Sequence, residues 1–475
     1  MISSTEMAVV DRNAVALGVR ETNLMESAGN AVARAVRDLA PEGPIAVVAG
    51  RGNNGGDALT AARFLADRDV TVHLLGHPDR IRSAVTREKW DALIEADVAL
   101  TVVRDASGLA LGDPAVLVDG VLGTGVRGPP REPERTAIEA INDREAPVVS
   151  VDVPSGMDVD TGDRPGAAVV ADRVVTFHDL KPGLADREDV TVASIGIPPA
   201  AERVVGPGDL QRLERPADAH KGDFGDLLVV GGGPYTGAPA LAAQAALRAG
   251  ADLATVLTPE TVADTVQSYS ENLIVNRLAG ERLGPEHVEH VLEAATARDV
   301  LLLGPGLGAA PETIEAVEAI LEGYRGRLVI DADALDAVGV ESDASMILTP
   351  HRGEFLDLGG TEGTDIAGWR QQAAELAANL DATILLKGPT DVITDGERTR
   401  ENRTGNPGMT VGGTGDVLAG VTAATFSQLE AVPAAAVAAY LTGTAGDLAA
   451  AERDGGLVAT DLLGELPAAL SGDHV

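Results

Sequence analysis

Short aliphatic and β-branched runs that end in glycine alternate with alanine-rich helical stretches along almost the whole chain. VTVHLLG (70–76), AVLVDGVLG (115–123) and PVVSVDVPSG (147–156), with the run into Gly50 before them, are nearly all apolar. Such runs read as strands buried on both faces. Segments such as ALTAARFLADRD (58–69) carry the helical period between them. That order builds βαβ units, hence parallel sheets covered by helices. The pattern breaks in GIPPAAERVVGPGDLQRLERPADAHKG (196–222), rich in Pro, Gly and charge, and restarts with GDLLVVGGG (225–233), DVLLLGPGLG (299–308) and ATILLKGPTDVITDG (382–396). Two α/β domains are expected, over 1–209 and 216–475, with the Pro/Gly-rich segment as their boundary.

Charge narrows the function classes. Asp and Glu outnumber Lys and Arg by 73 to 37, for a formal net charge of -36. A surface this acidic repels nucleic-acid phosphates and anionic membrane faces. The absence of cysteine excludes disulfides, thiolate nucleophiles and Cys-ligated zinc. Glu6 and Asp11 interrupt the N-terminus, so no signal-peptide core is expected there. The longest uncharged apolar stretch, 431–446, is too short to span a bilayer and contains Pro433. A cytoplasmic location is expected.

Only four lysines occur, Lys89, Lys181, Lys221 and Lys387. Acidity, lysine depletion and few aromatics point to a halophilic cytoplasm; the alternative is an ordinary acidic mesophilic protein. The two separate in a salt titration. The Debye length falls from about 30 Å at 0.01 M to about 3 Å at 1 M, so molar salt relieves the self-repulsion of a compact acidic chain. The melting temperature is expected to rise steeply from dilute to molar KCl. Sucrose, which is excluded from surfaces but screens nothing, isolates the charge effect. A melting curve flat in KCl removes the halophile reading.

Three glycine-rich segments of the first half carry chemistry. AGRGNNGGD (49–57) leaves a strand and opens a helix, where free N–H groups converge on an anion. A plain turn needs fewer glycines and no paired amides. VDGVLGTGVRGPP (118–130) has Gly123, Gly125 and Gly128 in G-x-G-x-x-G spacing, a weak match taken alone. VSVDVPSGMDVDTG (149–162) ends a strand on Asp152 and Ser155, and Asp119 ends an earlier one. Strand C-termini are where α/β sheets place ligands, although each aspartate could also be a helix cap.

With NLMESAG (23–29), these segments, in this order, resemble the NAD(P)H-hydrate epimerase domain, over nearly all of domain one. The resemblance implies a Rossmann-like three-layer αβα fold. It implies that Asn53, Asn54, Gly55, Gly56, Asp57, Gly123, Thr124, Gly125, Val126, Arg127, Gly128 and Pro129 contact the substrate. It implies that Asn54, Asp119 and Ser155 help hold potassium, and that catalytic Asp152 meets the reacting nicotinamide. Oxygen ligands of this kind suit such a cation.

In the second half, NPGMTVGGTGDVLAGVTAA (406–424) runs a glycine turn into an apolar helix with Asp416 in its first turn. The free N–H groups there can stabilise a transferring phosphoryl group, and Asp416 could take a proton from an attacking hydroxyl. An acidic residue at a helix N-terminus is also a common cap. GGTGD resembles the anion-hole signature of ribokinase-like kinases. Together with HKGDFGDLLVVGGGPYTGAPALAAQAALRAGAD (220–252), GPGLG (304–308), DADAL (331–335), TPHRGEF (349–355) and LKGPTDVI (386–393), it resembles the NAD(P)H-hydrate dehydratase domain, of ribokinase-like α/β fold. The resemblance implies that Ala238, Gly306, His351 and catalytic Asp416 contact the hydrated dinucleotide. It implies that Lys387, Gly388, Pro389, Thr390 and Asp391, with Gly412, Gly413, Thr414 and Gly415, contact the phosphodonor, ADP in the prokaryotic branch. Glu354 would act through magnesium.

The paired resemblances imply repair of hydrated NADH and NADPH by a self-associating bifunctional enzyme. Two rivals stand beside this. A vitamin or sugar kinase of the ribokinase-like class would yield a stable phosphoester rather than restored cofactor. A dinucleotide-binding sensor would show no turnover.

Overall fold

The computed structural model describes residues 1–105, 109–125, 127–213, 215, 216, 218–453 and 456–472. These form two compact units, Met1–Ala201 and Glu202–Val475. In the first, β1 (Ile45–Ala49), β2 (Val70–Leu75), β3 (Ala99–Val103), β4 (Val116–Gly120), β5 (Val148–Val151), β6 (Arg173–Phe177) and β7 (Val190–Ala193) make one parallel sheet. Its order, β3-β2-β1-β4-β5-β6-β7, changes direction between β1 and β4. The period of two is strict in the central strand: Ile45, Val47 and Ala49 join the core on one face, Ala46 and Val48 that on the other.

The second unit holds β8 (Asp226–Val230), β9 (Leu253–Pro259), β10 (Ile274–Leu278), β11 (Val300–Leu303), β12 (Arg327–Ile330), β13 (Ser345–Leu348), β14 (Thr383–Leu386), β15 (Asp391–Thr394) and β16 (Thr399–Asn402). The order is β10-β9-β8-β11-β12-β13-β14-β15-β16, parallel as far as β14 and antiparallel for the last two. Here the direction changes between β8 and β11. Helices Gly237–Arg248 and Thr414–Phe426 cover one face. They approach so closely that a Cβ on Gly420 would run into the Ala242 carbonyl oxygen. The apolar stretch 431–446 is the buried part of helix Ala431–Arg453 in the same core. Among the described residues no helix is long and apolar enough to cross a membrane.

The structure differs from the sequence reading at the boundary. The units part between Ala201 and Glu202, so 202–209 belongs with the second unit rather than the first. Charge inside the Pro/Gly-rich segment explains this. Buried Asp209 accepts two hydrogen bonds from Arg400 Nη2, both at 3.0 Å, and the Val205 N–H donates to the Glu401 carbonyl at 2.8 Å. These contacts join the segment to β16. Composition signals a loop; it does not reveal that a loop is fastened.

Candidate active sites

In open α/β sheets, ligands bind beyond the strand C-termini where the strand order reverses. In the first unit that point lies between β1 and β4. Asn53, Asn54, Gly55, Gly56 and Asp57 fill the first turns of helix Asn53–Phe64, directly after β1. The turn must be tight, since a Cβ on Gly55 would run into the Gly50 carbonyl oxygen. The loop after β4 comes back against it: a Cβ on Gly123 would stand 2.9 Å from Asn54 Cβ. Gly123, Gly128 and Gly156 line a cavity of about 10 Å³. Thr124 and Gly125 follow Gly123 in this loop, Arg127 lies 3.6 Å from Asp160, and Pro129 packs near Gly166. Val126 lies outside the described residues.

Asp119, Ser155 and Asn54 converge on one spot. Asp119 is fully buried at the end of β4. Its carboxylate accepts hydrogen bonds from Ser155 Oγ (2.5 Å), Ser150 Oγ (2.8 Å), Ser155 N (2.9 Å) and Val121 N (3.3 Å). Burial outweighs these and pushes the carboxyl above the ordinary carboxylate range. Ser155 Oγ in turn accepts from Leu122 N at 2.8 Å, and Asn54 Nδ2 donates to Leu122 O at 2.9 Å. The spot is thus an oxygen-rich knot of a carbonyl, a hydroxyl and an amide with the Asp119 carboxyl behind it.

Asp152, just past β5, sits in the left-handed region at φ 61°, a conformation a non-glycine residue adopts at a cost. It accepts from Thr176 Oγ1 (2.9 Å) and Phe177 N (3.2 Å), and Lys181 Nζ lies 3.3 Å away. The Lys181 side chain is wholly buried, donating also to the Phe177 and Asp179 carbonyls. Two further carboxyls face this group. Burial, reinforced by the Asp152 charge, pushes Asp11 up to about 7, and burial with Asp152 and Asp11 pushes Asp57 well above its ordinary value. Asp152 and Asp11 beside one enclosed ammonium, with Asp57 coupled to both carboxyls, can hold and exchange a proton near neutral pH. The motif reading missed Asp11 and Lys181. The scarcity of lysine was a signal for the second.

In the second unit the reversal lies between β8 and β11. A Cβ on Gly306, just beyond β11, would stand 3.2 Å from Ala238 Cβ in the helix following β8, so these two meet. Gly412 and Gly413, with φ 96° at Gly413, lead into the Thr414–Phe426 helix, and Thr414 Oγ1 ties the turn to the Met409 and Val411 carbonyls. Asp416 in its first turn is pushed up to about 7 by burial and by the Asp331 charge, against the pull of Lys387.

Lys387 is the hub. Its Nζ lies 3.1 Å from Asp331 Oδ1 and 3.8 Å from Glu354 Oε2, and a Cβ on Gly415 would come within 3.5 Å of it. Burial alone would depress its ammonium; the Asp331 and Glu354 carboxylates more than offset this and leave it above its ordinary value. The loop Gly388–Pro389–Thr390 follows, closed by Asp391, which accepts from Gly388 N (2.9 Å) and Asn402 Nδ2 (3.0 Å). His351 caps the short helix Arg352–Asp357: its Nδ1 accepts from Glu354 N at 3.0 Å, and its backbone bridges Lys387. Asp331, 2 % exposed and also bound by Thr349 Oγ1 at 2.7 Å, was missed as a member of this cluster.

Comparison with known proteins follows the same division. The family described as NAD(P)H-hydrate dehydratase matches residues 227–468, and that of the YjeF-related protein N-terminus matches 21–183. Bifunctional NAD(P)H-hydrate repair enzymes of Pyrobaculum aerophilum and Archaeoglobus fulgidus are 46 % and 43 % identical, covering 98 % and 99 % of this chain and 97 % and 98 % of theirs. A ribokinase-like superfamily structure from Enterococcus faecalis is 26 % identical with a TM-score of 0.51, over 57 % of this chain and 95 % of its own. Matched from end to end and in both halves, the chain belongs to the family of bifunctional NAD(P)H-hydrate repair enzymes.

Proposed function

We propose that the first unit interconverts the R and S hydrates of NADH and NADPH at Asp152, and that the second dehydrates the S hydrate at Asp416 with ADP as phosphodonor. The observation that carries the reading is the same in both units. Each has an enclosed carboxylate and a lysine beyond the C-termini of its strands, past β5 and β6 in the first unit and past β12 and β14 in the second.

The damaged ring bears a hydroxyl next to its nitrogen, and hydroxide leaves poorly. In the second unit Asp416 takes the hydroxyl proton as oxygen attacks the terminal phosphorus of ADP and the bond to AMP breaks. The N–H groups after Gly413 and the Lys387 ammonium meet the negative charge on the phosphoryl oxygens. The ring nitrogen then expels phosphate, a ring proton leaves to solvent, and the double bond returns. The products are NAD(P)H, AMP and phosphate. Among the described residues no three acidic or histidine side chains converge as a ready-made metal cage. Magnesium bound with nucleotide phosphates needs only one or two carboxylates, and Glu354 is placed to supply one. Magnesium there would neutralise phosphate charge.

In the first unit Asp152 takes the hydroxyl proton as the ring C–N bond breaks to leave an aldehyde, and returns it when the nitrogen re-attacks that carbonyl from its other face and the carbon inverts, with Asp11 and Asp57 as neighbouring proton carriers and the loops at 53–57 and 123–129 holding the dinucleotide. The donors around Leu122 O fit potassium. Ser155 Oγ and that carbonyl are oxygens, turning the Asn54 amide would add a third, and Asp119 supplies charge. The enzyme acts in the cytoplasm as a homo-oligomer. One experiment tests the reading: mixed R and S hydrates are given ADP in potassium chloride, then in the chloride of a large organic cation at equal ionic strength. Full restoration of NADH is expected in the first. In the second, only the S form should be consumed and R should remain. Unchanged epimerisation would remove the potassium site; no restoration with ADP would remove the donor assignment.

A further inference from the structure

Of the aromatic side chains described, only Tyr235 and Tyr269 are exposed, at 64 and 50 %. The other two tyrosines, Tyr324 and Tyr440, are each 5 % exposed. In a chain this poor in aromatics, two uncovered rings need a reason. Both stand at the mouth of the crevice between β8 and β11. Tyr235 precedes helix Gly237–Arg248, and a Cβ on Gly306 would lie 3.2 Å from both Tyr235 Cβ and Ala238 Cβ. Tyr269 ends helix Glu260–Ser268, and its hydroxyl is 3.1 Å from that of Thr236, the residue after Tyr235. The Tyr269 hydroxyl is therefore anchored at the residue that follows Tyr235.

We propose that Tyr235 and Tyr269 form a stacking platform for the adenine of the hydrated dinucleotide. This rests on the second unit being the dehydratase. The two flat-ring candidates in the substrate are unequal. The hydrated ring is puckered by its tetrahedral carbons, and it must sit within reach of Asp416. Adenine stays flat and belongs to the half that does not react. Tyrosine offers a large rigid face at low entropic cost, and a purine stacks on it whatever its hydrogen-bonding edge.

The test compares two substrates of the full-length enzyme, the S hydrate of NADH and that of reduced nicotinamide mononucleotide, which lacks adenine. Losing a base–aromatic stack should raise KM about 10-fold or more. Tyr235→Ala with Tyr269→Ala should do so for the dinucleotide with kcat held within about threefold, leaving KM for the mononucleotide and for ADP unchanged. Tyr235→Phe, which keeps the ring, should behave as wild type. Equal losses on both substrates, no loss on either, or a rise in KM for ADP would each overturn the platform. A wild-type enzyme that dehydrates neither substrate would overturn the underlying reading instead.

Discussion

Asp416→Asn is expected to abolish nucleotide-dependent restoration of NADH, by about 10²–10⁴-fold in kcat, the range of a lost general base, while epimerisation continues at the wild-type rate. Asp416 must be ionised to accept a proton. Its carboxyl is pushed up to about 7 by burial, so dehydration should fall away as pH drops below about 7. Stability has the opposite sign. The folded state holds this proton more tightly than the unfolded chain, so the contribution of Asp416 to stability is lost as pH rises from the ordinary value of 3.8 to about 7. Asparagine removes that charge penalty, so the variant should melt no lower than wild type at pH 8. A variant that dehydrates within a few-fold of wild type would show Asp416 to be only a helix cap.

Asp152→Asn should give the reciprocal result: pure S hydrate is still dehydrated, while R accumulates beyond its spontaneous conversion, with epimerisation down about 10²–10⁴-fold. Lys181 then loses the carboxylate 3.3 Å from its ammonium. Stranding a buried ion costs about 3–5 kcal/mol. The loss should be smaller here, because the Asp152 charge is one reason Asp11 holds its proton near pH 7. With that charge gone, Asp11 ionises more readily and becomes the counter-ion. Asp11→Asn combined with Asp152→Asn should therefore destabilise the fold by more than the two single changes together. Equal loss of both activities in the single variant would assign Asp152 to folding instead.

Periodicity and glycine punctuation made the two sheets legible, because strands buried on both faces leave unbroken apolar runs. The same local order made the loops at 49–57, 118–130 and 406–416 legible. What stayed hidden came from elsewhere in the chain. Asp11 lies in the helix Ser4–Ala16, far in sequence from Asp152, and nothing local marks it as facing that group. Asp331 lies in a recognised segment, but its contact with Lys387 is made only because the sheet order leaves a single strand, β13, between β12 and β14. Lysine usage held an unused clue. Lys89 and Lys181 are buried and Lys387 sits among carboxylates, while arginine serves most of the surface. A chain that shuns lysine keeps it where a compact ammonium is needed.

The Asp209–Arg400 clasp decides where the dehydratase half can be separated from its partner. A fragment cut at the composition boundary, beginning at 216, would lack Asp209 and strip β16 of its neighbouring chain at Val205. Arg400, 12 % exposed at its side chain, would keep its charge without its carboxylate. Gene splitting, circular permutation or expression of this half alone thus has to carry residues from Glu202 onward. The stretch that reads as spacer is inherited with the catalytic body.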